Sequence, residues 1–348
     1  MNITNNSNYK VGSVLQNENL NGSISLTDEI EGKEGEAVAV EVTSNASLAG
    51  ELELENGMIA PVQKGEVVVG VLGKRKALEG AVGDIPSDVQ PGDKLHILNL
   101  GGVIGEVDSW NRKTATRPVE VEVLGGLRNG TGNVNIRKPV EETADALDSS
   151  AQIILISGTS MNTGKTTLAT QVIEHLTEQY DKSVSGAKLT GVATQKDINE
   201  MLDAGADETG SFADVGMTST IDEDKHELIC AAKTVLNDLG GDETDVIVAE
   251  LGDGIVGWYG VDTFISDEEF TDAIDLHMVC ANDLAGALGS IRICEDHGLS
   301  VDYFAGPVTN TSAGVEYLSS RLGIDAGQMD EYGVHDESLQ DLLEDHIV

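Results

Sequence analysis

Residues Gln152–Leu168 read QIILISGTSMNTGKTTL, and this stretch decides the fold of the C-terminal part of the chain. The apolar, β-branched run Ile153–Ile156 has the length of a buried strand, and a glycine-rich loop follows it at once. From Lys165 onward, apolar residues recur at helical spacing. A strand, a glycine-rich loop and a helix in this order predict a phosphate-binding loop.

The loop residues have the chemistry that a nucleoside triphosphate requires. Gly164 allows backbone N–H groups to turn inward, and the helix after it begins with unpaired N–H donors and the positive end of its dipole. Lys165 supplies a charge for the β- and γ-phosphates, and the Thr166 hydroxyl suits Mg²⁺. Five residues separate Gly158 from Gly164, one more than in the standard pattern. We expect the nucleotide to contact Gly158, Thr159, Asn162, Thr163, Gly164, Lys165, Thr166 and Thr167.

The composition is strongly acidic. The chain has 348 residues with 61 Asp and Glu against 21 Lys and Arg, so its formal net charge is −40, yet 40% of its residues are hydrophobic. We expect a folded, halophilic protein, because a high-salt cytoplasm screens dense negative charge. Nucleic-acid binding is disfavoured, since the field of the whole chain repels phosphate.

The three cysteines and the lack of long apolar runs indicate the cellular compartment of the protein. Cys230, Cys280 and Cys294 are widely spaced, which predicts reduced and mostly buried thiols rather than a disulfide framework. No apolar run approaches the length of a membrane span. We therefore expect a soluble cytoplasmic protein with no membrane partner.

The N-terminal part of the sequence predicts an all-β domain over residues 23–138. Short apolar alternations broken by glycine are typical of a barrel or a sandwich, and they recur at Ala37–Val42, Glu66–Leu72, Lys94–Leu98 and Val119–Val123. Only Gly73–Gly83 has the character of a short helix. We expect a flexible N-terminus over residues 1–22 and a linker over residues 139–150.

The C-terminal part predicts an α/β domain over residues 151–325, followed by an acidic tail or short helix over 326–348. Strands alternate with helices, so we expect a parallel sheet that is covered on both faces and binds its ligand at the strand carboxyl ends. Glu250 comes directly after an apolar strand. Such a carboxylate is suited to Mg²⁺ beside a nucleotide.

Four motifs in this part resemble one family of P-loop NTPases, the dethiobiotin synthetases and cobyrinic acid a,c-diamide synthases. Its GTxTxxGKT loop, of the Walker A type, resembles residues 158–166. Its later motifs resemble, in the same order, Lys188-Leu189-Thr190-Gly191, Glu250-Leu251-Gly252-Asp253-Gly254 and Val308-Thr309-Asn310. Two positions depart from the family: Leu189 stands where it usually has proline, and Asp253 where it has a small residue.

The resemblance implies roles for individual residues. Thr166 and Glu250 are implied as Mg²⁺ ligands, together with a further acidic residue, for which Asp214 is the first choice and Asp197 the second. Lys165 and Lys188 are the implied catalytic residues, with Lys188 near the transferred phosphoryl group. Asn310 is implied as the residue that contacts the purine base.

The resemblance also implies an ATP- and Mg²⁺-dependent ligase or acyl-activating enzyme that phosphorylates a small carboxylic acid. GTP remains open as the nucleotide, and we expect a homo-oligomer. A first alternative is a P-loop protein similar to amino-acid N-acyltransferases, with an amino acid as substrate. A second alternative is a nucleotide-switched accessory or regulatory NTPase, in which residues 214–220 would form a switch segment.

Overall fold

The chain forms two compact units. The computed structural model describes residues 9–18, 20, 25–44, 50–113, 117–130, 132–138, 143–335 and 337–348. Residues up to 138, with Val192–Lys196 and Ala213–Ile221, form the N-terminal unit, and the remaining described residues form the C-terminal unit. The sequence predicted two consecutive blocks, whereas these two short segments return to the N-terminal unit. Residues 1–8 of the predicted flexible N-terminus and residues 139–142 of the predicted linker lie outside the described residues.

The described residues of the N-terminal unit form strands and short 3-10 turns, which confirms the predicted all-β character. Five strands, β6, β3, β11, β9 and β10, pair in that order, and β10 pairs again with β6, so that they close a barrel. The strands are β1 Tyr9–Val11, β2 Ser25–Thr27, β3 Ala37–Val42, β4 Glu51–Glu53, β5 Ile59–Pro61, β6 Val67–Leu72, β7 Arg75–Lys76, β8 Ala81–Asp84, β9 Lys94–Ile97, β10 Val103–Trp110, β11 Val119–Asn129 and β12 Gly132–Asn133.

A glycine in β6 makes the closing seam of this barrel possible. The pairing between β6 and β10 is parallel, with Val71 opposite Val103. A Cβ atom on Gly70 would lie 2.1 Å from the carbonyl oxygen of Gly102. Because real Cβ contacts are never this short, only glycine fits at this position.

Two segments of the N-terminal unit differ from the expectation. Tyr9–Val11 pairs in parallel with Val67–Val69 and so belongs to the sheet, although residues 1–22 were expected to be flexible. The segment Gly73–Gly83 contains β7 and most of β8 instead of a short helix. Its residues pair with each other and with β10, which offers their backbone groups sheet partners.

The C-terminal unit has a seven-stranded parallel sheet in the order β15, β14, β16, β13, β17, β18, β19, which confirms the predicted α/β class. Its strands are β13 Gln152–Gly158, β14 Val184–Thr190, β15 Glu208–Ser211, β16 Val246–Leu251, β17 Leu276–Cys280, β18 Tyr303–Ala305 and β19 Asp325–Ala326, followed by the hairpin of β20 Met329–Asp330 and β21 Gly333–Val334. Its helices are α1 Lys165–Tyr180, α2 Lys196–Asp203, α3 Lys225–Leu239, α4 Val261–Ser266, α5 Glu268–Asp272, α6 Leu284–Glu295, α7 Ser312–Tyr317 and α8 Ser338–His346.

The central strand β13 carries the glycine-rich loop at its carboxyl end. Residues Ile153–Ile156 are at most 2% exposed, as expected for a strand covered on both faces. Helix α1 buries Leu168, Val172, Ile173 and Leu176 against the sheet core, so the predicted helical spacing is the spacing of its packed face.

The range 326–348, predicted as an acidic tail or short helix, contains the hairpin of β20 and β21 and the helix α8. Helix α8 buries Leu339, Leu342 and Leu343 in the same core cluster as β13 and α1. Spacings of three and four residues place these leucines on one face of the helix. Among the described residues, no helix has both the length and the apolar character that a membrane crossing requires.

Candidate nucleotide-binding site

The loop between β13 and α1 is shaped by two residues with left-handed backbone. Asn162 has φ 57°, and Gly164, the N-cap residue just before α1, has φ 90°. Glycine and asparagine adopt this conformation at the lowest cost. The hydroxyl of Thr163 donates to the carbonyl oxygen of Ser160 at 3.1 Å and so ties the two sides of the loop together. The loop therefore has a defined shape ahead of the free N–H groups of α1.

Lys165 is held inside this loop and is only 5% exposed. Its Nζ atom donates to the carbonyl oxygen of Ser160 at 2.9 Å and to that of Asp253 at 2.8 Å. Carbonyl dipoles solvate an ammonium group without cancelling its charge. The positive charge therefore remains available to an anion that enters the loop.

Glu250 lies in β16, directly opposite Ile156 of β13 on one side and Lys188 of β14 on the other. It is 2% exposed, and its Oε1 atom lies 3.6 Å from Nζ of Lys188. Its Oε2 atom is buried and has no hydrogen-bond partner in the described part of the chain. Because a buried carboxylate oxygen without a partner is costly, this atom points to a missing cation or donor.

The residues present fit the Mg²⁺ ion that the loop implies. Mg²⁺ is a hard cation that takes oxygen ligands and is usually held by one or two carboxylates beside phosphates. The unpaired oxygen of Glu250 is such a ligand, and Thr166 brings a hydroxyl to the first turn of α1, next to Lys165. The strand register places Glu250 beside the strand that leads into the loop.

Lys188 is placed between two carboxylates. It is 8% exposed, and its Nζ atom contacts Oδ2 of Asp197, in the first turn of α2, as well as Glu250. The ends of β14 and β16 are joined by the Thr190 hydroxyl, which donates to the carbonyl oxygen of Gly252 at 2.8 Å. Two predicted motifs, residues 188–191 and 250–254, are thus brought together.

Sequence reasoning noted Asp253 only as a departure, yet Asp253 takes part in the loop. Its carbonyl oxygen accepts from Lys165, and its backbone has φ 65°, which is uncommon for aspartate. Burial raises the pKa of its carboxyl group, while the neighbouring Lys165 charge acts in the opposite direction. An aspartate in a turn of glycines was the only signal in the sequence.

Asn282 is a further contact that sequence reasoning missed. It follows β17, and its backbone N–H donates to the Thr159 hydroxyl at 3.0 Å. Its side-chain Nδ2 atom donates to the Ser160 hydroxyl at 2.6 Å. Asn282 therefore fixes the first half of the loop. The signal for it was weak, since a polar residue after an apolar strand is common at this sheet edge.

Two other predicted residues, Asn310 and Asp214, follow strands that do not neighbour β13 in the sheet, β18 and β15. Asn310 is exposed and follows the 3-10 turn after β18, with its carbonyl oxygen accepting from Gln328. Asp214 belongs to the N-terminal unit, where its carboxylate accepts from Asn17 Nδ2 at 2.8 Å. The structure therefore does not gather Asp214 with Glu250 in one unit, whereas it does gather Asp197.

No model of a known protein family matches the chain, and neither does any curated protein. Among solved structures, chloroplast FtsY from Physcomitrella patens is similar at 14% identity, over 60% of this chain and 68% of that chain, with a TM-score of 0.38. A DUF1611-family protein from Anabaena variabilis ATCC 29413 is similar at 12% identity, over 61% of this chain and 64% of that chain, with a TM-score of 0.42.

The hydrogenase maturation factor HypB from Archaeoglobus fulgidus is similar at 16% identity, over 50% of this chain and 71% of that chain, with a TM-score of 0.28. The strand order, the loop after β13 and the position of Glu250 identify the C-terminal unit as a P-loop NTPase fold on their own.

Proposed function

We propose that the C-terminal unit binds a nucleoside triphosphate with Mg²⁺ and cleaves the bond to its γ-phosphate. The observation that carries this proposal is the buried, unpaired Oε2 atom of Glu250 beside the strand of the glycine-rich loop. A structural carboxylate at this depth would have its hydrogen bonds satisfied. A carboxylate that coordinates a metal ion, by contrast, has an oxygen without a hydrogen-bond partner when the ion is absent.

Each residue of the loop has a role in this proposal. The N–H groups at the start of α1 bind phosphate oxygens, and Lys165 exchanges its two carbonyl partners for the β- and γ-phosphates. Thr166 and Glu250 hold Mg²⁺, which when bound neutralises charge that develops on the phosphates. We propose Asp197 rather than Asp214 as the second acidic residue, since Lys188 contacts both Asp197 and Glu250.

We propose a small carboxylic acid as the acceptor of the phosphoryl group. In this step a carboxylate oxygen bonds to the γ-phosphorus, the bond from that phosphorus to the β,γ-bridging oxygen breaks, and the electron pair leaves with the nucleoside diphosphate. Lys188 supports this reading because it is a buried ammonium at the carboxyl end of β14, where it can orient an incoming carboxylate. This is the ligase class that the four motifs imply.

A nucleotide-switched regulator is the second candidate, and a separate observation favours it. The segments after β14 and β15, Val192–Lys196 and Ala213–Ile221, belong to the N-terminal unit. There the N–H of Ala193 donates to the carbonyl oxygen of Thr218 at 2.9 Å, and the N–H of Gln195 donates to Glu53 at 2.7 Å. A movement of Lys188 on nucleotide binding would therefore be transmitted to the N-terminal unit through the few residues of chain between Lys188 and Val192.

The experiment is nucleotide binding followed by phosphate release, with ATP and GTP tested separately in molar KCl with Mg²⁺. Release that requires an acid from a panel of amino and dicarboxylic acids supports the ligase. Tight binding with slow release that no acid accelerates supports the switch. Acyl transfer to an amino acid without nucleotide turnover would support the N-acyltransferase alternative and contradict the proposed cleavage.

Two variants test the roles of individual residues. Lys165→Ala should weaken nucleotide binding by about 100-fold, because a charge-assisted contact contributes up to ~3 kcal/mol. Lys182→Ala, at the end of the same helix–strand unit, is the matched control. Glu250→Gln should abolish Mg²⁺-dependent cleavage while it preserves the shape of the side chain. Unchanged nucleotide affinity in Lys165→Ala would overturn the proposed site.

We further propose that the protein works in a high-salt cytoplasm, which the net charge of −40 supports. The proposed purine contact of Asn310 is tested by comparing ATP and GTP affinities in Asn310→Ala. The expected homo-oligomer is tested by the molar mass in solution at high salt.

A further inference from the structure

A second group of polar side chains lies on α3, away from the nucleotide site in sequence. His226 and Cys230 are one helical turn apart on this helix, and Asp145 joins them from the segment that precedes β13. We propose that Asp145, His226 and Cys230 bind a divalent transition-metal ion, with Zn²⁺ as the ion they suit best. The site would hold three protein ligands and leave a fourth position open to solvent.

The separations between the ligand atoms match a tetrahedral site. The Sγ atom of Cys230 lies 3.5 Å from Nδ1 of His226 and 3.9 Å from Oδ1 of Asp145. One ligand atom from each of the three residues lies within 4.8 Å of the others. Bonds of about 2.3 Å to sulfur and about 2.1 Å to nitrogen or oxygen, at tetrahedral angles, place ligand atoms roughly 3.6 Å apart. The side chains therefore need little movement to coordinate one ion.

The backbone of the segment that carries Asp145 is hydrogen-bonded to side chains of α3. The N–H of Ala144 donates to the Thr234 hydroxyl at 2.8 Å, and Asn237 Nδ2 donates to the carbonyl oxygen of Ala146 at 2.9 Å. Nζ of Lys233 donates to the carbonyl oxygen of Asp145 at 3.1 Å and is paired with Glu269. These bonds hold the Asp145 carboxylate over the turn that contains Cys230, independently of any metal.

The donor set and its exposure specify the kind of ion. Cys230 is buried, whereas Asp145 and His226 are exposed. An ion that enters from solvent can therefore coordinate Asp145 and His226 first and the sulfur of Cys230 last. One sulfur, one imidazole nitrogen and one carboxylate oxygen suit Zn²⁺ and not the hard ions Mg²⁺ and Ca²⁺. Without a metal, burial and the Asp145 carboxylate raise the pKa of the Cys230 thiol. The ligand-free group is then three side chains joined by weak hydrogen bonds.

A cobalt titration of the full chain tests the site. Co²⁺ replaces Zn²⁺ in such sites and gives a thiolate-to-metal charge-transfer absorption only when a cysteine sulfur is a ligand. The titration is done after chelator treatment, in high KCl with excess Mg²⁺. Under these conditions Mg²⁺ occupies the many surface carboxylates, so that they do not bind Co²⁺. We expect one Co²⁺ per chain with this absorption, and its displacement by Zn²⁺.

Variants identify the ligands. Cys230→Ala should remove the absorption, and His226→Ala and Asp145→Asn should weaken the affinity by at least about 100-fold, since even outer-shell changes cost 10–100-fold. Cys294→Ala, which removes another buried thiol, is the matched control and should titrate like the wild type. His226 is exposed, so its variant tests the site even if Cys230→Ala does not fold. Absence of the absorption in the wild type, or its persistence in Cys230→Ala, would overturn the proposal.

Discussion

His277 should make the stability of the protein depend on pH. It lies in β17 and is fully buried, with Nδ1 at 2.9 Å from the carbonyl oxygen of Ser300 and Nε2 at 2.8 Å from the hydroxyl of Ser157. The Ser300 carbonyl oxygen can only accept, so Nδ1 carries the proton, and in the neutral ring Nε2 accepts from the Ser157 hydroxyl. Burial lowers the pKa of His277 from 6.5 to about 4, although the hydrogen bond to Ser300 and the nearby Asp302 oppose this shift.

The sign and size of the effect follow from this pKa. Between pH 6.5 and 4, the unfolded chain binds a proton at this histidine and the folded chain does not, so acid favours unfolding. One pKa unit corresponds to ~1.4 kcal/mol, so the free energy of unfolding should fall by about 2 kcal/mol on going from pH 7 to pH 5. The full loss of about 3 kcal/mol should be reached near pH 4.

Urea unfolding at pH 7 and at pH 5, in the same high KCl, measures this effect. Carboxylates also titrate in this range, so the relevant quantity is the difference between the wild type and His277→Asn. The wild type should lose about 2 kcal/mol more than this variant over the two pH units. His297→Asn removes an exposed imidazole and serves as the control. Equal losses in wild type and His277→Asn would refute a neutral, buried His277.

Three further predictions concern packing and charge. Gly70→Ala should destabilise the N-terminal unit by roughly 2–3 kcal/mol, because its Cβ would meet the Gly102 carbonyl, whereas Gly130→Ala has open space; urea unfolding compares the two. Leu343→Ala should cost about 2–5 kcal/mol in the same assay, and no loss relative to the exposed Leu288→Ala would contradict a packed α8. The thermal unfolding midpoint should rise as KCl is raised from ~0.1 M to ~1 M, where the Debye length falls to about 3 Å, and a midpoint that ignores salt would contradict a halophilic protein.

Local patterns in the sequence predicted the elements that carry the proposed nucleotide site. The β-branched run before Gly158 and the helical spacing after Lys165 depend only on neighbouring residues, and both appear as β13 and α1. Glu250 was predicted because a carboxylate after an apolar strand of a parallel sheet can lie at only one edge. These inferences needed no knowledge of distant contacts.

The features that the sequence did not predict depend on distant partners. Hydrophobic periodicity predicts that a segment is packed, but it does not identify the core against which the segment packs. It therefore did not show that Ala213–Ile221 belongs to the N-terminal unit. The role of Asp253 rests on its carbonyl oxygen, which every residue type has. For α8, however, the spacing of its leucines was a visible signal of a packed face.

The acidity of the chain and the proposed nucleotide site place opposite demands on electrostatics. A net charge of −40 repels a nucleoside triphosphate at low salt, whereas at ~1 M salt the field of distant carboxylates is screened beyond about 3 Å. Only groups that touch the phosphates then contribute. In the proposed site, Lys165, the N–H groups of α1 and an ion held by Glu250 would be such groups. The side chains of Lys165 and Glu250 are buried, which protects them from the same screening. A strongly acidic surface is therefore compatible with nucleotide binding as long as the attraction is confined to a buried loop and the repulsion to solvent-exposed residues.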